Sequence, residues 1–427
     1  MVAVLDCQLA AEALALPRPA HWEALRLSAE AALAGHGLPS TREESWKYTD
    51  LAPLADLGFR PGAPMDVDIA GLVLPEARGS RITFVNGHFD SHRSNVSTLP
   101  AGVRFLNLAC ASEMAHDLGS LAKPGADLFA DLNSARFRDG ALVVVPRGVQ
   151  VTAPLHVVFI SEQDGAVATA SLPRMLVVLE KGASLTLVEE YHGRGRYLTS
   201  SVVEVIVRED AQLSHERIQR ESPEAFHFSH LAARIERNGV YSCRTISFGA
   251  RISRCTPQVN LAQEGASLTL DGLALLGESQ LADTHSFIDH TVPHCSTRQT
   301  HKVIADGASR AVFNGMVFVR PGAQGTDAQQ QCRGLLLSET AQIDTKPQLE
   351  IFADDVKCAH GAAIGQLDPE ELFYLQSRGL RPALARNLLT YAFAADLLAR
   401  IPVASLKRSL RQTVLARTNA ENLEALA

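Results

Sequence analysis

The sequence predicts a mainly β protein whose core, residues 131–362, is a parallel β-helix flanked by helical regions at both ends. Three observations predict it. From about residue 140, short β-branched runs alternate with tight corners: Gly182-Ala183, Asp210-Ala211, Gly265-Ala266, Gly307-Ala308, Gly322-Ala323 and Thr340-Ala341. The corners fall 28, 55, 42, 15 and 18 residues apart. With slippage, these intervals are close to multiples of about 14, as in a solenoid whose coils are strands joined by corners. No segment of helical period interrupts the span, which disfavours a βαβ sheet. A sandwich is the competing architecture, but Asn-Gly hairpin signals are nearly absent from this span.

Residues 1–130 read as a helical region with a small β element. Residues 21–34 place Trp22, Leu25, Ala29 and Ala32 at helical spacing, and Gly35 and Gly37 end the run. A polar connection over 39–50 carries Trp46 and Tyr48 as packing anchors. Residues 81–89 read as two short strands about Asn86-Gly87, and a weaker helical stretch covers about 107–122. Residues 363–427 form a C-terminal helical domain. There Asp368-Pro369-Glu370-Glu371 supplies an N-cap and a proline at the first helical position, and Gly379 supplies a stop. Pro382 opens a second helix with Leu384, Leu388, Tyr391 and Ala395 on one face, Pro402 closes it, and 403–416 form a third.

Composition excludes several function classes. A net charge of −7 disfavours a nucleic-acid or anionic-membrane surface, and no apolar run approaches the roughly 18 residues of a membrane span. The N-terminal residues have no basic region before their apolar ones and do not read as a secretory signal. The seven cysteines are widely spaced with no C-x-x-C pair, which argues against a disulfide framework, a zinc ribbon or a ferredoxin-type site. The expected compartment is a reducing cytoplasm. Walker A, dinucleotide-binding Gly-x-Gly-x-x-Gly and Gly-x-Ser-x-Gly motifs are all missing, so neither ATP hydrolysis nor serine-hydrolase chemistry is expected of this chain.

The most informative stretch is 350–361. On a strand, Cys358 and His360 share a face, and thiolate beside imidazole suits iron, zinc or an iron–sulfur cluster. Two ligands leave a four-ligand site incomplete, so other segments or another subunit must finish it. The competing reading is a buried Cys and a hydrogen-bonded His at a strand end. A second cluster, 283–301, holds four histidines and a cysteine. A zinc reading uses His290, His294 and Cys295, but Val292-Pro293 breaks regular structure and His285 and His290 differ in strand parity. The favoured role there is polar residues at strand corners. Phe226-His227-Phe228-Ser229-His230 reads as a half-exposed strand.

A family resemblance rests on ordered motifs across most of 40–400. They are Glu43-Glu44-Ser45-Trp46-Lys47-Tyr48-Thr49, Phe313-Asn314-Gly315, Thr326-Asp327-Ala328-Gln329, Leu335-Leu336-Leu337-Ser338, Lys346-Pro347-Gln348-Leu349-Glu350, Asp354 through Ala362, and Phe373 through Gly379. The chain resembles the SufB/SufD subunits of the SUF iron–sulfur assembly machinery. On the SufB side the family has Glu-His-Glu-Ala where this chain has Ala359-His360-Gly361-Ala362, so the resemblance is to the SufD side. It implies a right-handed β-helix and a non-enzymatic scaffold that pairs with SufB. It implies docking of the SufC ATPase, expected on the C-terminal helices, chiefly 382–400, and a transient cluster at the SufB–SufD junction, with none on the isolated chain. His360 matches the SufD-side ligand and Cys358 a neighbouring thiol. The isolated chain is expected to form a two-fold homodimer through its C-terminal coils. The alternatives are a structural solenoid without a metal role and, remotely, a β-helix polysaccharide lyase.

Overall fold

The computed structural model describes residues 22–55, 57–111, 116–163 and 165–417. The N-terminal residues read above for a leader, and Cys7, lie outside the described residues. Between Gly140 and Gly365 the chain winds as a β-solenoid of about seven turns. Each turn gives one strand to each of two sheets, and the strands stack in parallel: one sheet runs from Gly140–Val145 to Gln342–Ile351, the other from Leu155–Glu162 to Val356–Gly365. Gln212 pairs with Ser184 on one side and Val240 on the other, each 28 residues away, twice the half-turn spacing read from the corners.

The corners work as their residues dictate. Gly182, Asp210 and Gly265 have φ of 69°, 58° and 75°, which Gly and Asp tolerate best. The next residue in each, Ala183, Ala211 or Ala266, is fully buried, because the chain turns inward where only a methyl group fits between the sheets.

The interior is divided along its length. One side is an apolar column system that includes Val203, Val205, Leu231, Val259, Ile288 and Val317 from one sheet and Leu185, Leu213 and Leu268 from the other. The other side carries buried polar residues. There Arg217 donates to both oxygens of Glu189 at 3.1 and 3.2 Å and to Ser229 Oγ at 2.6 Å, and His215 Nε2 lies 2.8 Å from Glu189. Burial alone raises the Glu189 carboxyl; the Arg217 charge and the His215 contact outweigh it and hold the group well below the usual carboxylate range.

Helices cover the outer faces. Trp22, Ala29, Leu33, Trp46 and Phe129 pack over Leu142, Leu176, Phe226 and Phe228 of the first sheet. Ala394, Leu397, Leu398, Leu406 and Leu410 pack over Val188, Ile218, Ile246 and Leu273 of the second. The helix at Glu23–Gly35, the Arg81–Val85 and His88–Phe89 hairpin about Asn86-Gly87, and the helices at Pro369–Ser377, Pro382–Ala399 and Ala404–Arg417 fall where the sequence places them. Asp368 caps its helix by accepting from the Glu370 N–H at 2.8 Å.

Two local expectations are corrected. The described part of 107–122 holds only a 3-10 turn at Leu108–Cys110, and the helix of this region is Leu128–Arg136. Every residue of that helix is buried, its polar ones included, so it has no solvent-exposed face to create a period. The strand Phe226–Ile235 is buried on both faces: Phe226 and Phe228 lie under the N-terminal helices, and His227 and Ser229 face the interior against Glu221 and Arg217.

The two ends of the solenoid differ. At the N-terminal end each sheet finishes on a short antiparallel strand, His88–Phe89 in one and Arg104–Asn107 in the other. Short edge strands of this kind blunt further pairing. At the C-terminal end Gln342–Ile351 and Val356–Gly365 each pair on one side only among the described residues. Ile351, Phe352 and Ile364 are exposed there.

Candidate functional site

Cys358 and His360 sit on the last strand of the second sheet. The register fixes where they point. Cys358 pairs with Ala328, then Thr297 and Leu268; His360 pairs with Gln330, then Gln299 and Leu270. Ala328, Leu268 and Leu270 are interior residues, and Cys358 packs against the interior cluster. The pair therefore shares the inward face of the final rung, at the mouth of the solenoid. Cys358 is half-buried and His360 exposed. Burial raises the Cys358 thiol, the Ala328 backbone contact opposes that, and the Asp327 charge adds to it. The thiol needs a metal, or a cation from elsewhere, to become a thiolate.

Beneath His360 the interior column turns polar. Gln330 donates through Nε2 to Gln299 Oε1 at 2.8 Å, and Gln299 donates through Nε2 to Ser286 Oγ of the opposite sheet at 2.8 Å. A cavity of about 50 Å³ continues the polar side and is lined by Arg217, His227, Ser229, Cys255, His301 and Phe313 among others. Sequence reasoning missed these glutamines. The motif Thr326-Asp327-Ala328-Gln329 stops one residue short of Gln330, and the inward alternation of Ala328, Gln330 and Cys332 is the signal that finds it.

The histidine-rich segment 283–301 is dispersed. Asp283 accepts from Thr49 Oγ1 at 2.6 Å and pairs with Arg254, whose guanidinium lies 3.9 Å from the Trp46 ring centre. His285 lies 3.0 Å from the same carboxylate. His290 meets Thr297 Oγ1 at 2.9 Å inside the solenoid, and His294 occupies a corner at φ 59°. Among the described residues no three His, Cys, Asp or Glu side chains are grouped to hold a metal ion. The same Thr49 and Trp46 contacts show what the 43–49 motif does: it straps the N-terminal region across the first sheet, and Lys346 of the last strand donates to Glu44 at 2.6 Å.

The C-terminal helices are fixed to the solenoid by Lys302, which donates to Asp396 at 2.6 Å, and by Arg400, 3.0 Å from Asp271. The apolar residues of Pro382–Ala399 are largely used internally, against the sheet and against Leu415. The exposed aromatics lie one helix earlier, Phe373 at 73% and Tyr374 at 57%.

Among the described residues, these features define a β-solenoid with a Cys–His pair at its unblunted end. Residues 159–393 match the SufBD core domain of the SUF system for FeS cluster assembly, and residues 10–157 match the SufBD N-terminal region. The chain is 38% identical over 399 residues to an iron–sulfur cluster assembly SufBD family protein of Synechocystis, covering 89% of this chain and 88% of that one. It is 31% identical over 392 residues to the iron–sulfur cluster assembly protein SufD of Escherichia coli, covering 89% and 88%. Identity to the chloroplastic protein ABCI7 of Arabidopsis thaliana is 30% over 390 residues, covering 88% and 82%. The chain belongs to the SufBD family of iron–sulfur cluster assembly proteins.

Proposed function

We propose that this chain is the SufD-type scaffold of a cytoplasmic SUF complex, and that it presents His360 and Cys358 as half of a cluster site completed by a SufB-type partner. One observation carries the reading: the pair faces inward on the final rung of an end whose strands, among the described residues, have no partner on their outer side, so a second solenoid docked there meets it directly. The cluster is cargo, assembled on the complex and handed on. A neutral imidazole binds iron and lets it go on protonation, which suits transfer. Cys358, with its thiol raised by burial, is the weaker ligand. The chain hydrolyses no ATP itself; a SufC-type ATPase docks on the C-terminal helices, with Phe373 and Tyr374 as the exposed aromatic contacts. Isolated, the chain pairs with itself through the open coils.

The test is anaerobic co-expression with SufB and SufC, then iron and sulfide analysis of wild type and His360→Ala. Loss of cluster from a normally assembled, normally melting complex supports the reading. Full cluster content in that variant overturns it, and cluster loss in strict proportion to misfolded protein assigns His360 to stability.

A further inference from the structure

The interior column under His360 ends in an unmatched acceptor. Gln330 is 3% exposed, and its Oε1 is buried without a hydrogen-bond partner. Its amide cannot turn round at no cost. Nε2 is committed to Gln299 Oε1, and Gln299 in turn spends its Nε2 on Ser286 and, at 3.4 Å, on His301. In this arrangement the chain of amides delivers a carbonyl oxygen, not an N–H, to the last position. Gly315 on the facing strand makes room for it: a Cβ there falls 2.4 Å from Gln330 Nε2, so only glycine lets the amide lie across the interior. The residue paired with Gln330 on the next rung, on the same inward face, is His360. A buried carbonyl without a donor costs about 1–3 kcal/mol, and a neutral imidazole has one N–H to give and one nitrogen left over.

We propose that Gln330 is a positioning residue for His360: its Oε1 accepts the imidazole N–H, fixes one tautomer, and leaves the other ring nitrogen's lone pair aimed out of the solenoid mouth at an incoming iron. This rests on the ligand reading of His360. Metal-binding histidines commonly need such an outer partner to hold ring and tautomer.

The experiment uses the full chain, free of cluster, labelled with ¹⁵N-histidine at pH 8. His360 is identified as the pair of ring resonances lost in His360→Ala. Wild type is expected to show one protonated and one bare nitrogen, well separated. Gln330→Met removes the acceptor, and the two resonances should move towards each other as the tautomers mix. Gln330→Glu keeps an acceptor, and the separation should persist. Unchanged His360 resonances in a folded Gln330→Met chain, or equal collapse in both variants, overturn the proposal. Cluster retention by His360→Ala complex sinks the ligand reading instead, and leaves the ring spectra to decide the hydrogen bond.

Discussion

Replacing Arg217 by Met tests whether the polar half of the interior is held by charge pairing. Arg217 and Glu189 are both buried, and the guanidinium supplies two of the contacts to that carboxylate. Arg217→Met keeps an unbranched apolar stem and removes the guanidinium with its charge. Glu189 is left with the Tyr191 hydroxyl and His215. Breaking one side of a buried pair costs about 3–5 kcal/mol, and Ser229 also loses its donor.

The sign of the pH dependence makes the test specific. In wild type the folded-state value of Glu189 is depressed, so its contribution is complete above the unfolded value near 4.3 and is lost as pH falls through the folded value. Without Arg217, desolvation dominates and the folded value rises above the unfolded one. The variant then binds a proton on folding, and its deficit relative to wild type shrinks as pH falls, by at most about 1.4 kcal/mol per pH unit. Urea unfolding at pH 7.5 and 5.5, followed by tryptophan fluorescence, reads both quantities. A deficit below about 1 kcal/mol at pH 7.5, or one that grows on acidification, refutes the reasoning.

Other outcomes follow from the same structure. Cys358→Ala should lower the cluster content of the co-expressed complex less than His360→Ala does, by iron and sulfide analysis; the reverse order reassigns the principal ligand. Gly315→Ala should destabilise the chain by about 1–3 kcal/mol in urea, because the added methyl meets Gln330 and Phe313. Burial holds His290 and His301 down to about 4, so both must stay neutral in the fold; stability should fall as pH drops from about 6.5 towards 4, and a flat urea midpoint across that window contradicts their burial. Phe373→Asp with Tyr374→Asp should abolish co-purification with SufC without changing the melting transition, since neither side chain is buried; retained binding moves the docking surface elsewhere.

Much of this was legible in the sequence for identifiable reasons. The corners announce themselves because a left-handed φ followed by a buried methyl admits few residues, and Gly182-Ala183 and Asp210-Ala211 are among them. Cys358 and His360 were found together because strand parity is a local property. The Leu128–Arg136 helix was not found, since burial on every side erases amphipathic period. Phe226–His230 was misread as half-exposed for a related reason: alternation reports two different environments, and here the second is a polar interior, not water. Strand alternation can place Gln330 on the inward face, but its hydrogen-bond chain lay beyond sequence reasoning, because Gln299 and, beyond it, Ser286 are 31 and 44 positions away and meet it only through coil stacking.

The contrast between the solenoid's ends sets a limit on growth. A rod of stacked strands with two adhesive ends is a filament subunit, because each addition exposes a fresh template. Here the hairpin and antiparallel strands at the N-terminal end blunt one template. Under the pairing proposed above, joining two open ends would consume both and leave only blunted ones outward, so assembly would halt at a pair. That arrest would protect a long parallel sheet from fibre formation, and it would leave one buried junction per assembly, with the inward pair of each rod brought to the same place.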